Sequence, residues 1–490
     1  ACLVGSEMCI RDREIHMRKI LFALVASIFS FSAMAGGHAD WFKEAGAPYK
    51  GTVLQGVAEN TPPGQFAGEV LAKEFEKLTG IKVQLENTSW DQMYDKAIKD
   101  MEDNSGIYDF VYIEQDIVYD YLNRDFLVNI TEGLANNPDL QAPGVSLDDF
   151  TTFIDYFKDG SGDVFGVPME AFIKVYLYRK DLFERADAKA QFRAQYGYGL
   201  TPATSFDQYR DNAEFFTHFC AEQGMECWGT TVQGHTGHPA STYEFLESIA
   251  PSFGLYNWGV NMDSYQSCVE NGGQLNGGRA KAALNFWTQL LPFAPPEALQ
   301  STWSEVGSSF AAGRAAQGWV YGENAAWIAT DAEKSAVVGK VGVMLPPTAP
   351  GVMTQAASGN GYIGYFDGGA YGIPHSSKNK EATMLWLQYV ALNDHQADWA
   401  IAGGRITHKD TYADAKVMAV DEQADGYFSL MRDTGFLYAG APPFPFHGAG
   451  RGAIDPFIYS ALAGEMTPEE ALDGACQALD QVMADLGYQG

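Results

Sequence analysis

TVLQGVAENTPPGQFAGEVLAKEFEKLTGIKVQL, residues 52–85, contains one complete strand–helix–strand pattern. Thr52–Val57 reads as a strand from its β-type residues. Residues 65–78 then place apolar side chains at helical spacing, and Thr79-Gly80 stops the helix, glycine being the residue that tolerates the left-handed turn there. Ile81–Leu85 reads as the next strand. Short strands alternating with longer amphipathic stretches signal an α/β architecture.

The alternation continues outward. Trp90–Met101 has a helical pattern, and Tyr108–Ile113 (YDFVYI) is a continuous apolar run that suits a buried strand. Further strands are expected at Cys227–Val232 and Gly339–Leu345, and further helices at 279–292, 379–393 and 467–486. The last begins at Thr467-Pro468-Glu469-Glu470, a capping threonine with proline in the first turn and an acid at the third helical position. There is no repeat of solenoid period, and Pro295-Pro296 and Pro442-Pro443 mark turns.

At 490 residues and 46% hydrophobic content the chain suits two to three domains with sizeable cores. Near its start, Met17-Arg18-Lys19 precedes an apolar run at 20–31, and Ser32-Ala33-Met34-Ala35 supplies an A-x-A site. This reads as a signal peptide over 17–35, cleaved to expose Gly36, and so as a freely diffusing periplasmic protein. LVGSEMCIRDR (3–13) resembles translated sequencing-adapter sequence, so residues 1–16, with Cys2 and Cys9, are set aside as a leader foreign to the gene. Residues 1–35 hold four basic side chains (Arg11, Arg13, Arg18, Lys19) and three acidic ones (Glu7, Asp12, Glu14), which takes the mature net charge from -30 to -31. Such a surface repels phosphate backbones and anionic lipid, which argues against nucleic-acid and membrane-surface roles.

Four cysteines remain: Cys220, Cys227, Cys268 and Cys476. Cys220 and Cys227 enclose a short polar loop, which in an oxidising compartment fits a local disulfide and elsewhere fits two reduced thiols. No metal or other cofactor is expected. His235-x-x-His238 lacks a third ligand at useful spacing, and Asp159–Asp163 (DGSGD) lacks the later bidentate glutamate of a calcium loop and fits a hairpin turn. Gly448–Gly452 (GAGRG) follows no strand and is not a dinucleotide fingerprint.

Eight segments, in order, resemble bacterial extracellular solute-binding protein family 1, which includes the maltose-binding proteins. They are FEKLTGIKV (75–83), YDFVYIEQD (108–116), DVFGVPMEAFIKVYLYRKDLF (163–183), FAAGRAAQGWVYGENAAW (310–327), VVGKVGVMLPP (337–347), GGAYGIPHSSKNKEA (368–382), GGRITHKDTY (403–412) and ALAGEMTPEEALDGA (461–475). The sequence departs from the family after Gly368-Gly369, where Ala370-Tyr371 replaces a more usual tryptophan or serine, and between Glu170 and Lys180, where it is longer. The resemblance implies a type II periplasmic-binding-protein fold, two discontinuous α/β lobes that close on a ligand about a hinge. Lobe one is expected over 36–168 and 342–373, lobe two over 169–341 and 374–490. It further implies a monomer that captures a carbohydrate, an oligosaccharide or glycoside, and passes it to the permease subunits of an ABC importer.

Open α/β sheets bind at the carboxyl ends of their strands, so the loops there supply the candidates. These are Glu59, then Glu114, Gln115 and Asp116, then Glu170, then Tyr321, Glu323 and Trp327, with Gly369 and Tyr371 from the family segment and Arg405, which suits equally a hydrogen bond to a ligand hydroxyl and a salt bridge between lobes. Carboxylates can bridge neighbouring hydroxyls, and aromatic faces can lie against a sugar ring. Trp319 alternates with core positions and is assigned to the core. Glu170 and Trp327 are expected to act together, one hydrogen-bonding and one stacking on the same sugar. Two other functions fit parts of the pattern. The acidic loops also suit a polyamine or other small organic cation. A carboxylate pair such as Glu170 and Glu323 also suits a secreted glycoside hydrolase, although no further catalytic constellation accompanies it.

Overall fold

The computed structural model describes residues 37–236, 240–403 and 406–488. The expected signal peptide and cleavage site, Cys2, Cys9, His238 and Arg405 lie outside the described residues. Among the described residues seven strands run in chain order as β1 (Val53–Glu59), β2 (Lys82–Thr88), β3 (Phe110–Glu114), β4 (Gly166–Arg179), β5 (Gln317–Tyr321), β6 (Val341–Met344) and β7 (Phe366–Gly372). Between β1 and β2 the chain is helical from Pro62 to Thr79, with a wider π-type turn over Ala67–Leu71. Gly80, at φ 75°, ends that helix in the left-handed conformation its sequence position called for. Leu71, Phe75 and Thr79 bury one face against the sheet.

The spatial order is β2-β1-β3-β7-β4-β5, with β6 also on β4. β1 is parallel to β2 and β3, while the other pairings are antiparallel. β4 is the strand the two lobes share. Its residues Gly166–Ile173 pair with β7, and Lys174–Arg179 pair with β5 and β6. Near its start the register shifts between Pro168 and Glu170, so that Met169 is an extra residue on the β4 side. Opposite this bulge Gly368 has φ 139°, and a Cβ there would sit 2.1 Å from the Glu170 carbonyl oxygen. Only glycine fits.

Two expectations need correction. Cys227–Val232 forms no strand; a single bridge joins Trp228 to Ala315. Gly229 lies against the backbone of Ala213, where a Cβ would come within 1.7 Å of its carbonyl oxygen, and the Thr230 N–H donates to Phe293 in a loop. Its backbone bonds are spent outside a ladder. The second correction concerns the lobe boundary at 374. Helix Lys380–Val390 is buried almost all round, with Trp386 against Phe75 and Phe110 and Tyr389 against Phe42. A helix so apolar needs a partner on every side, and its partners belong to the first lobe.

The second lobe is mainly helical around β5, β6 and the end of β4. Helices Gly278–Thr288, His447–Leu462 and Pro468–Asp485 pack together there, the last starting with a complete Thr467–Glu470 capping box. Trp319 sits in this core, 4.3 Å between ring centroids from Tyr209. The structure pairs Cys220 with Cys227, and it also pairs Cys268 with Cys476, a bond the sequence did not suggest. Asp159–Asp163 is a tight turn in which Asp159 Oδ1 accepts from the N–H groups of Ser161 and Asp163.

Candidate functional site

Between the lobes lies a cavity of about 90 Å³. The carboxyl end of β1 contributes Glu59, Asn60, Thr61 and Pro62, and β3 contributes Tyr112 and Glu114. Glu170 and Phe172 come from β4, Asp367 from β7, and Tyr321, Glu323 and Asn324 from the end of β5 and the helix turn after it. Tyr243, Trp303 and Ser304 complete the wall. Alternation explains the strand residues: positions two apart, Tyr112 with Glu114 and Glu170 with Phe172, face the same side.

Neutral donors hold the carboxylates in place. The Tyr112 hydroxyl donates to Glu170 at 2.6 Å, the Asn324 amide to Glu323 at 3.0 Å and the Gly368 N–H to Asp367 at 2.7 Å. Trp90 donates its indole N–H to Glu114, and Trp303 donates to Glu59 at 3.2 Å, a bond between lobes. Burial, then the carboxylates of Asp367, Asp116 and Glu59, push the Glu114 carboxyl well above the usual range. Asp367 is raised by burial and by Asp116, and burial pushes Glu323 up to about 8. Glu323, raised in this way, keeps its proton near neutrality, so the cavity offers a carboxyl donor as well as acceptors.

Of the residues chosen from sequence, Glu59, Glu114, Glu170, Tyr321 and Glu323 line this cavity. Others serve it from behind. Gly369 makes room for Tyr112, whose ring would lie 2.2 Å from a Cβ at that position. Gln115 donates to the Tyr365 hydroxyl at 2.8 Å and accepts from the Ala441 N–H at 3.1 Å, both within the protein. Asp116 is fully buried and bonded to Tyr243 and Arg451.

Two assignments are overturned. Tyr371 is fully buried and packs edge-on against Phe110, 5.2 Å between centroids, in the core of the first lobe. Trp327 lines a separate surface groove with Phe66 and Ile401 and donates to Asn324 at 2.9 Å. It sits one helical turn beyond Glu323, and that rise of about 5.4 Å carries it past the cavity. The expected pairing of Glu170 with Trp327 therefore fails, and the tryptophan at the cavity is Trp303. The Thr302–Glu305 capping box marks a helix start there, although it does not reveal what that helix faces. Tyr112, Phe172, Tyr243 and Asp367 were also missed, and of these Tyr112 and Phe172 follow from alternation with chosen neighbours.

The model of the bacterial extracellular solute-binding proteins matches residues 58–397. This chain is a bacterial extracellular solute-binding protein. Solved structures resemble this solute-binding protein over nearly their whole length. An Agrobacterium radiobacter ABC-transporter solute-binding protein in complex with ribitol is 22% identical with a TM-score of 0.71, covering 88% of this chain and 99% of its own. The D-mannitol-bound protein of Agrobacterium vitis is 20% identical at 0.72, covering 90% and 99%. A maltose-bound T. maritima protein is 18% identical at 0.70, covering 88% and 100%. At these identities the likeness carries the fold: this solute-binding protein has the two-lobed type II architecture.

Proposed function

We propose that the mature protein captures a small carbohydrate or sugar alcohol in the periplasm and delivers it to the permease of an ABC importer. The observation that carries this reading is the lining of the inter-lobe cavity. Carboxyl groups that together donate and accept, the amides of Asn60 and Asn324, and the rings of Trp303, Phe172 and Tyr321 meet in one enclosed space. A hydroxyl also donates and accepts, and a ring face covers the apolar side of a sugar. The cavity is small, which favours a compact carbohydrate over a long oligosaccharide. Ribitol, D-mannitol, maltose and acarbose are among the ligands bound by similar proteins.

A thermal-shift screen against sugar alcohols, monosaccharides, disaccharides and polyamines tests the proposal. A ligand at about 100 times its dissociation constant stabilises by roughly 2.7 kcal/mol. Stabilisation by a carbohydrate that is recovered unchanged after incubation is the expected result. Stabilisation by spermidine alone would replace the ligand class, and cleavage of a glycoside would replace binding with catalysis.

A further inference from the structure

Behind the cavity wall the loop after β3 reaches into the second lobe. Asp116 Oδ2 accepts from the Tyr243 hydroxyl and lies 3.5 Å from Arg451 Nη1, which itself donates to that hydroxyl. The Arg451 guanidinium stands 4.8 Å from the Trp90 ring centroid and 5.3 Å from that of Tyr243, between one aromatic of each lobe. Trp90 in turn donates to Glu114, and both Glu114 and Tyr243 line the cavity. His447 Nδ1 is also 3.5 Å from Asp116, but burial lowers its pKa to about 4, which leaves it neutral and makes Arg451 the counter-charge.

We infer that Asp116 and Arg451 are positioning residues that join the lobes and set two cavity walls at once. Asp116 fixes Arg451, Arg451 fixes Tyr243 on one side and Trp90 on the other, and Trp90 fixes Glu114. The arrangement exists only when first-lobe Trp90 and Asp116 meet second-lobe Tyr243 and Arg451. Wall geometry and lobe contact are thus made by the same atoms. The pair is buried, with Asp116 at 0% and Arg451 at 9% exposure, so solvent screens it weakly. The inference rests on the reading of the cavity as the ligand site, but not on the identity of the ligand.

The test uses the full mature protein in three forms: wild type, Arg451→Met, and the double variant Asp116→Asn with Arg451→Met. The double variant removes both buried charges together and so guards against a single variant that fails to fold. Small-angle scattering without ligand is measured first, then binding of D-mannitol, ribitol and maltose. We expect a larger radius of gyration in both variants and, for whichever probe binds wild type, dissociation at least tenfold faster. Arg451→Lys, which keeps the charge without the planar stack, should recover part of both effects. A double variant with wild-type radius and wild-type affinity, whatever its melting temperature, overturns the inference. If none of the three probes binds wild type, the proposed ligand class fails, while the scattering comparison still decides the role of the pair.

Discussion

The two lobes solve the same packing problem by different means. The first is built on a sheet in which β2, β1, β3, β7 and half of β4 pair side by side, with aromatic helices such as Lys380–Val390 on its face. The second has only β5, β6 and the remainder of β4, and it fills its core with helices. Both disulfides found among the described residues belong to this second lobe. Cys268–Cys476 ties the C-terminal helix to a segment rich in turns, closing a loop of 208 positions. Such a tie stabilises chiefly by restraining the unfolded chain, and the more so the longer the loop it closes.

The largest expected effect follows from that contrast. The Cys268→Ser/Cys476→Ser variant should lose about 5 kcal/mol of stability by the chain-entropy estimate for so long a loop. Hydrogen exchange should accelerate in helix Pro468–Asp485 and leave β1–β3 unchanged. Equal acceleration in both lobes would mean that they unfold as one unit, and the contrast would dissolve.

Next in size is a buried acid of the second lobe. Glu247 accepts the indole N–H of Trp258, and burial pushes its pKa from 4.5 to about 8. The folded state therefore binds the proton more tightly than the unfolded state. Its contribution is fully present below pH 4.5 and is lost as pH rises toward 8, by roughly 1.4 kcal/mol per unit and a few kcal/mol in all. Glu247→Gln keeps an acceptor for Trp258 and cannot ionise, so melting temperatures measured between pH 5 and 8 should fall less steeply than in wild type. An unchanged slope would remove Glu247 from the account.

Within the cavity the effects fall on affinity. Glu170→Gln keeps the shape and replaces one carboxyl oxygen by an amide, which removes a hydrogen bond worth about 0.5–1.5 kcal/mol, roughly 2- to 12-fold in affinity. Titration calorimetry with the stabilising sugar, beside a melting curve that stays near wild type, checks this. The smallest effect belongs to Trp327→Ala, which should leave affinity within about threefold of wild type, because the ring lies in the neighbouring groove. A tenfold loss there would place the ligand differently.

These contrasts also explain what could be read in advance. Strand ends were legible because burial imposes a period of two and glycine marks helix stops, so Glu59 and Glu114 stand at the ends of β1 and β3 and line the cavity, whereas Glu170 lies inside β4 beside its bulge. Trp327 was misplaced because four residues along a helix preserve the face and change the depth. Long-range closure left no trace along the chain. Nothing local in Cys268 points to Cys476, and Asp116 and Arg451 are 335 positions apart. Trp303 belongs to the same group, since a capping box reports only where a helix begins.

The extra residue at Met169 makes β4 a matter of odd and even. Upstream of it the strand keeps one parity against β7, and downstream it keeps the other through Glu170 and Phe172 and on to β5 and β6. Removing one of its fourteen residues would restore a single parity along the thirteen that remain. One end would then have to turn over, presenting to the core what it had presented to the cavity. Substitutions along β4 change single contacts, whereas a change in its length by one reverses the orientation of a whole segment. Length is thus the property of this strand that is hardest to alter by small steps.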